Sequence, residues 1–566
     1  MKKKIGFILA IMILASSLLS ACGGDGSGTS TTAASAANNG AAETTKEKTE
    51  TKENKEPEND ENFNATGFPV VNERITLSAV VRGDPNYTKP YEELELNKKW
   101  TEDTNIDVEW RLFDSTSWEE KVNLMLVSGE LPDIVFGPIS TYNELTYAQQ
   151  GYWQPIQDLI SEYTVHVKEF SEMYPEIYNS YYTPDGNVYS LARLKGQEDM
   201  EYMNRIYINQ EWLEAVSLDM PKNVDEFYAV LKAFKDQDPN GNGKADEIPL
   251  AFRYDFKSSD RKTGGDARNS LVGLFGLFGR IDTIDHIVIE DGKPVFTADK
   301  DEYKNAVSWF HQLASEGMLD PEAFTMDTTA FKAKNTTGDT VYGVWSGWTV
   351  EEATNPPEKG IETYAMMPPL ENVNGDQIWP RFSYNVANQG YFFITKNNQY
   401  PRESIRWIDY LSDPYVSIEH DWGIEDLGSK INDDGSWEIL GGGLVTSRTA
   451  EGMAWLVPTM VPKHIYDRCV YTSPVKKFEA DSCAVYSPYG VEVFPNAYHS
   501  LEDAQEIIQY STDIGSYVGK MTSQWIIEGG IDEQWDEYVK TLDSLGLSRY
   551  LEIYNSTYDR YLESFK

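Results

Sequence analysis

Apolar residues along this chain fall into short runs that alternate with helical patterns. Runs at residues 75–81, 106–112 and 132–136 predict strands, and the patterns at residues 91–104 and 118–127 predict helices between them. Such alternation points to an α/β body built on a parallel, doubly wound sheet. Ligands of such sheets sit beyond the carboxyl ends of strands, which makes Phe136, Gly137 and Pro138 candidate cleft residues, with a plain strand-to-loop turn as the alternative. Further along, a helix is predicted over residues 224–234, a strand over 341–350 that ends in a glycine-containing turn, and a strand over 391–394. The last third reads as helical, over 501–528, 531–538 and 550–565. There Leu551, Tyr554, Tyr558, Tyr561 and Leu562 recur at a helical period suited to packing on the main body.

The amino terminus follows another pattern. Lys2, Lys3 and Lys4 precede an apolar run at residues 5–14 and then small residues, the layout of an export signal whose apolar stretch is too short for a durable transmembrane helix. The segment Leu19-Ser20-Ala21-Cys22 resembles the bacterial lipobox. That resemblance implies removal of residues 1–21, lipid (palmitate-type) acylation of Cys22, and anchoring at the extracellular face of the cell membrane. An ordinary cleaved signal with a coincidental cysteine is the alternative. Residues 22–68 are dominated by small, polar and charged side chains, which cannot bury enough surface to offset ordering entropy, so a disordered tether is expected. The folded body is expected over residues 69–566, long enough for two or more lobes.

Composition narrows the ligand. Lysine and arginine number 49 against 91 aspartates and glutamates, a formal charge of −42 that argues against nucleic acid or anionic lipid. With Cys22 lipidated, Cys469 and Cys483 remain, either as one local disulfide or as two buried free thiols. Nothing in the chain resembles a nucleophile elbow, a zinc helix or a phosphate-binding loop.

One local motif carries chemistry. In residues 238–247 (DPNGNGKADE), oxygen side chains alternate and Gly243 permits a sharp turn, as in the first half of an EF-hand loop that wraps a hard cation. Asp238, Asn240 and Asn242 would give side-chain oxygens, Lys244 its backbone carbonyl, and Asp246 and Glu247 the rest of a calcium shell. The twelfth position is Pro249 where an EF-hand has glutamate, so a calcium-driven opening is not expected. A metal-free polar turn is the alternative.

Several segments in order resemble the family 1 extracellular solute-binding proteins that serve ABC sugar importers. They are residues 94–108 (LELNKKWTEDTNIDV), 118–135 (WEEKVNLMLVSGELPDIV), 186–191 (GNVYSL), 207–213 (YINQEWL) and 221–234. The chain looks most like the large oligosaccharide and alginate-oligosaccharide binders, in which a loop like that at Asp238 is a fixed structural calcium site. The resemblance implies a two-lobed periplasmic-binding-protein-like fold with a hinge, a central cleft and a helical C-terminal region, its chain crossings near residues 190–200 and 365–395. It implies closure on a carbohydrate and delivery to a membrane permease, without catalysis. A monomer is expected.

Sugar recognition needs flat aromatic faces and polar groups for hydroxyls. Trp345 and Trp348, at the end of the predicted strand 341–350, are the first candidates. Trp379, Arg381 and Tyr384 are second, and Trp153 and Trp118 third, with packing or ion pairing as the other role for each. A surface polysaccharide-acting enzyme and an adhesive or sensory lipoprotein are the competing functions.

Overall fold

The computed structural model describes residues 61–83, 89–254, 270–383, 387–440 and 460–565. The export signal, Cys22 and Tyr384 lie outside them. No helix among the described residues is long and apolar enough to cross a membrane. Residues 61–68, assigned by composition to the tether, are packed on the body. Phe63 and Ala65 are buried, Phe63 pairs with Val71 in an antiparallel bridge, and the Arg402 guanidinium lies 4.6 Å above the Phe63 ring. A single buried aromatic outweighs the polar composition around it.

A six-stranded sheet forms the first lobe, in the spatial order Met460–Val461, Ser190–Lys195, Ala387–Ile394, Ile134–Phe136, Ile75–Gly83, Ile106–Asp114. Side chains alternate across it as a pleated strand requires. Leu77, Ala79, Val81, Ile134, Phe136, Phe392 and Ile394 enter one core, while Val80, Val135 and Phe393 enter a second on the opposite face. The predicted parallel sheet is therefore mixed: Ala387–Ile394 runs antiparallel to both neighbours. That strand arrives from the other lobe, so no crossover helix constrains its direction.

The second sheet orders Tyr364–Met366, Arg205–Asn209, Tyr342–Gly347 and Ile248–Ala251. The chain passes from the first sheet to the second between Lys195 and Arg205, and returns between Met366 and Ala387. Helix Val224–Asp236 covers this sheet through Phe227, Val230, Leu231 and Phe234. Its start is fixed by Asn223, whose side chain accepts from Glu226 N at 3.0 Å, while Glu226 accepts from Lys222 N at 2.9 Å. The C-terminal helices Leu501–Glu528, Ile531–Ser544 and Leu547–Glu563 join the same core through Trp525, Tyr538 and Ile553.

Candidate functional site

Among the described residues a cleft of about 410 Å³ opens where the chain crosses between lobes. Five separate stretches of the described chain build it. Strand Ser190–Lys195 ends at its floor, and the chain turns away at Gly196, where a Cβ would sit 2.3 Å from Lys463 N. Only glycine allows that approach. Trp348 follows strand Tyr342–Gly347 and is held at both backbone ends: its carbonyl accepts from Arg205 Nη1 at 2.9 Å and Tyr207 Oη at 3.0 Å, and its N–H donates to Glu352 Oε2 at 3.1 Å. From the second sheet its indole packs against the first lobe's core. The lining also includes Trp422, at the C-terminus of helix Pro414–Trp422 and itself buried, and the more exposed Tyr471, their rings 5.8 Å apart. Helix Pro474–Cys483, capped by Ser473, closes the remaining side.

The lysines of the cleft are paired. Lys195 and Asp421, both buried, form an ion pair beneath it, and Tyr466 Oη donates to the other Asp421 oxygen at 3.2 Å. Burial and the Asp421 charge hold the Tyr466 hydroxyl well above its ordinary pKa. Lys476 meets Glu479 at 2.6 Å and Lys477 meets Asp481 at 2.8 Å. Burial pushes the Glu479 carboxyl up, against the pull of the Lys476 ammonium, and its Oε1 has no hydrogen-bond partner among the described residues.

The other sequence candidates lie elsewhere. Trp345 is fully buried and stacks on Tyr207, centroids 4.2 Å apart. Trp379 donates from Nε1 to Asn204 O at 2.9 Å with its ring against Gly273 and Tyr486. Trp153 lies 4.6 Å from Phe393 in the first lobe's second core, and Trp118 donates to Pro138 O at 2.7 Å. All four indoles are covered by protein. Phe136 is likewise buried, stacked on Trp110. Arg381 donates to Glu201 at 2.7 Å, with Glu492 4.0 Å away. Sequence reasoning missed Lys195, Trp422 and Tyr471; a tryptophan closing a helix just before Gly423 was the available signal for one of them. Cys469 and Cys483 are free thiols, not a disulfide. Cys469 lines the cleft, its thiol pushed up to about 12 by burial and then by Asp421.

The loop at 238–247 folds as a compact knot between helix Val224–Asp236 and strand Ile248–Ala251. Asp238 and Gly243 both take positive φ, 48° and 75°. Asp238 accepts from Asn242 N at 3.2 Å and Gly243 N at 3.0 Å, and Asp246 accepts from the side-chain amides of Asn240 and Asn242 at 3.1 Å. These amide bonds, that from Asn240 first, hold the Asp246 carboxyl below the usual range. Glu247 is pushed the other way by burial and by the charges of Asp238 and Asp246, and its Oε1 is buried without a hydrogen-bond partner. No group of three or more His, Cys, Asp or Glu side chains poised for a metal occurs among the described residues. The donor set is instead mixed carboxylate and amide oxygen, the chemistry of a hard cation, and an orphaned buried carboxylate oxygen fits one. Asn242 and Lys244 also reach Asp339, 3.1 and 3.7 Å away, which ties the loop to the approach of strand Tyr342–Gly347.

The family model for bacterial extracellular solute-binding protein matches residues 84–415. The fructooligosaccharide ABC transporter substrate-binding protein FusA of Streptococcus pneumoniae is 30% identical over 513 residues, 87% of this chain and 92% of that protein. Solved structures of FusA with kestose, and of a FusA EF-hand mutant with fructo-nystose, each align at TM-score 0.72 and 29% identity, over 86% of this chain and all of theirs. A solute-binding protein of Bifidobacterium longum infantis that binds HMO aligns at TM-score 0.74 and 22% identity, over 86% of this chain and 99% of that one, a likeness of fold.

Proposed function

The chain belongs to the bacterial extracellular solute-binding proteins, and from that premise we propose that it captures an oligosaccharide and hands it to an ABC permease. Its task is binding, not turnover. The observation that carries the reading is the cleft itself, whose lining brings Trp348, just past a strand of the second sheet, together with Trp422 and Tyr471 at the chain crossing. Aromatic side chains in a cleft suit the apolar sides of a sugar ring, and a ligand touching both lobes favours the closed arrangement by its differential contacts. The crossings at 195–205 and 366–387 are the proposed hinge. Lipid on Cys22 is the proposed anchor that keeps the trap beside its permease, in line with the lipobox-like sequence around it.

Calcium is the proposed ion of the loop, held by Asp238, Asn240, Asn242, Asp246, Glu247 and the Lys244 carbonyl. It would offset most of the charge of three neighbouring carboxylates and brace the second sheet. The test of the whole reading is titration calorimetry of the mature protein with fructo-, malto- and galacto-oligosaccharides, with chromatography of the same mixtures. Saturable binding with unchanged sugar is the expected result; released product would sink it.

A further inference from the structure

Three lysines line the cleft, Lys195, Lys476 and Lys477, and each is matched by a protein carboxylate: Asp421, Glu479 and Asp481 respectively. Four carboxylates line the same walls, Glu198, Asp467, Glu479 and Asp481, so the charges of the described lining sum to the acidic side before Asp421 is counted. Glu479 is the telling member. Its side chain is 4% exposed, one oxygen receives Lys476 at 2.6 Å, and the other has no donor. A buried carboxylate oxygen without a donor costs free energy that a hydroxyl brought by a ligand would return. A ligand carboxylate there would instead meet like charge and break an existing pair to find a cation.

Resting on the saccharide reading above, we infer that this cleft selects a neutral, hydroxyl-rich oligosaccharide and excludes uronic-acid oligomers, with Glu479 as the specificity-determining acceptor. Among the described lining residues the carboxylates supply acceptors for hydroxyls and the aromatic side chains supply faces, and there is no unpaired Arg or Lys of the kind a uronate requires. Two levels of repulsion reinforce each other, the overall charge of −42 and the local pairs. Salt separates them, because at about 1 M the screening length falls to about 3 Å and only contacts as close as those in the cleft persist.

The experiment is calorimetric titration of neutral fructo- and malto-oligosaccharides and of oligogalacturonates and alginate oligomers of equal length, in low salt and in about 1 M salt. Binding of neutral ligands at least about a hundredfold tighter at both salt levels, a gap of about 2.7 kcal/mol, is expected. Uronates binding as tightly as neutral sugars would overturn the inference and leave the saccharide reading intact, whereas no saccharide binding at all would overturn both. Discrimination that vanishes in high salt would also overturn it, assigning the effect to net charge alone. Glu479→Gln should weaken the neutral ligand about tenfold and strengthen the uronate; Asp481→Asn, at an exposed pair that contributes little to folding, should strengthen the uronate alone. Unchanged ratios in both variants would remove Glu479 and the paired lysines from the selection.

Discussion

The loop at 238–247 and the interlobe cleft gather their functional groups in opposite ways. Ten consecutive residues bring Asp238, Asn240, Asn242, Asp246 and Glu247 together, so the loop is a local object whose shape follows from spacing and three positive-φ positions, Asp238, Gly241 and Gly243. The cleft draws Lys195, Trp348, Trp422 and Glu479 from segments up to hundreds of residues apart, and exists only once both lobes have packed. The first is held by short-range hydrogen bonds and the second by cores. The difference teaches where each is vulnerable: loss of the proposed ion would act on the loop, and large aromatic deletions on the cleft or on the cores behind it.

The largest effect that sharpens this contrast is Trp345→Ala. The residue lies three positions from Trp348 but wholly inside the second lobe, so its loss should cost about 3–5 kcal/mol in urea unfolding and affect binding only through the fold. Chelation comes next. If calcium is present at about a hundred times its dissociation constant, its removal should cost about 2.7 kcal/mol of stability, read as a lower Tm by calorimetry. Asp246→Ala should make the protein indifferent to chelator; a Tm that ignores chelator in the parent protein breaks the comparison. Trp348→Ala should reverse the Trp345 pattern, weakening saccharide by about 1.5–3 kcal/mol, with a smaller change in unfolding midpoint. The smallest effect concerns Cys469, whose folded thiol titrates near 12 against an ordinary 9.0. The folded state keeps this proton where the unfolded chain loses it, so its contribution is complete below pH 9 and declines as pH rises toward 12. Cys469→Ser should flatten that alkaline decline slightly in a Tm series, and the native thiol should resist alkylation at neutral pH.

Much of the first lobe was legible in the chain. Strands expected at 75–81 and 106–112 occur as Ile75–Gly83 and Ile106–Asp114, and the helix expected at 118–127 is Trp118–Ser128. The segment at 91–104 splits into a short 3-10 turn and helix Glu95–Thr104 because Leu94 takes an extended ψ of 134°. The two-lobed architecture follows from the ordered family-like segments. Side-chain direction was not legible: period-2 alternation sends Trp345 inward, while Trp348, one residue past the strand end, is freed from it. Trp422 and Tyr471 carried no motif, since their meeting depends on a small sheet formed by Ser429–Ile431, Trp437–Ile439 and Cys469–Tyr471. The mixed sheet was hidden for the same reason, its middle strand being supplied from across the molecule.

That middle strand governs the order in which the protein can be made safe. Strand Ala387–Ile394 stands between Ile134–Phe136 and Ser190–Lys195, which do not pair with each other. In a polypeptide emerging amino-terminus first, all four strands of the second sheet, from Arg205 to Met366, are delivered before it. Until then two apolar strand edges of the first lobe lack their partner, an invitation to intermolecular pairing. A nascent chain interrupted before residue 387 should therefore be aggregation-prone.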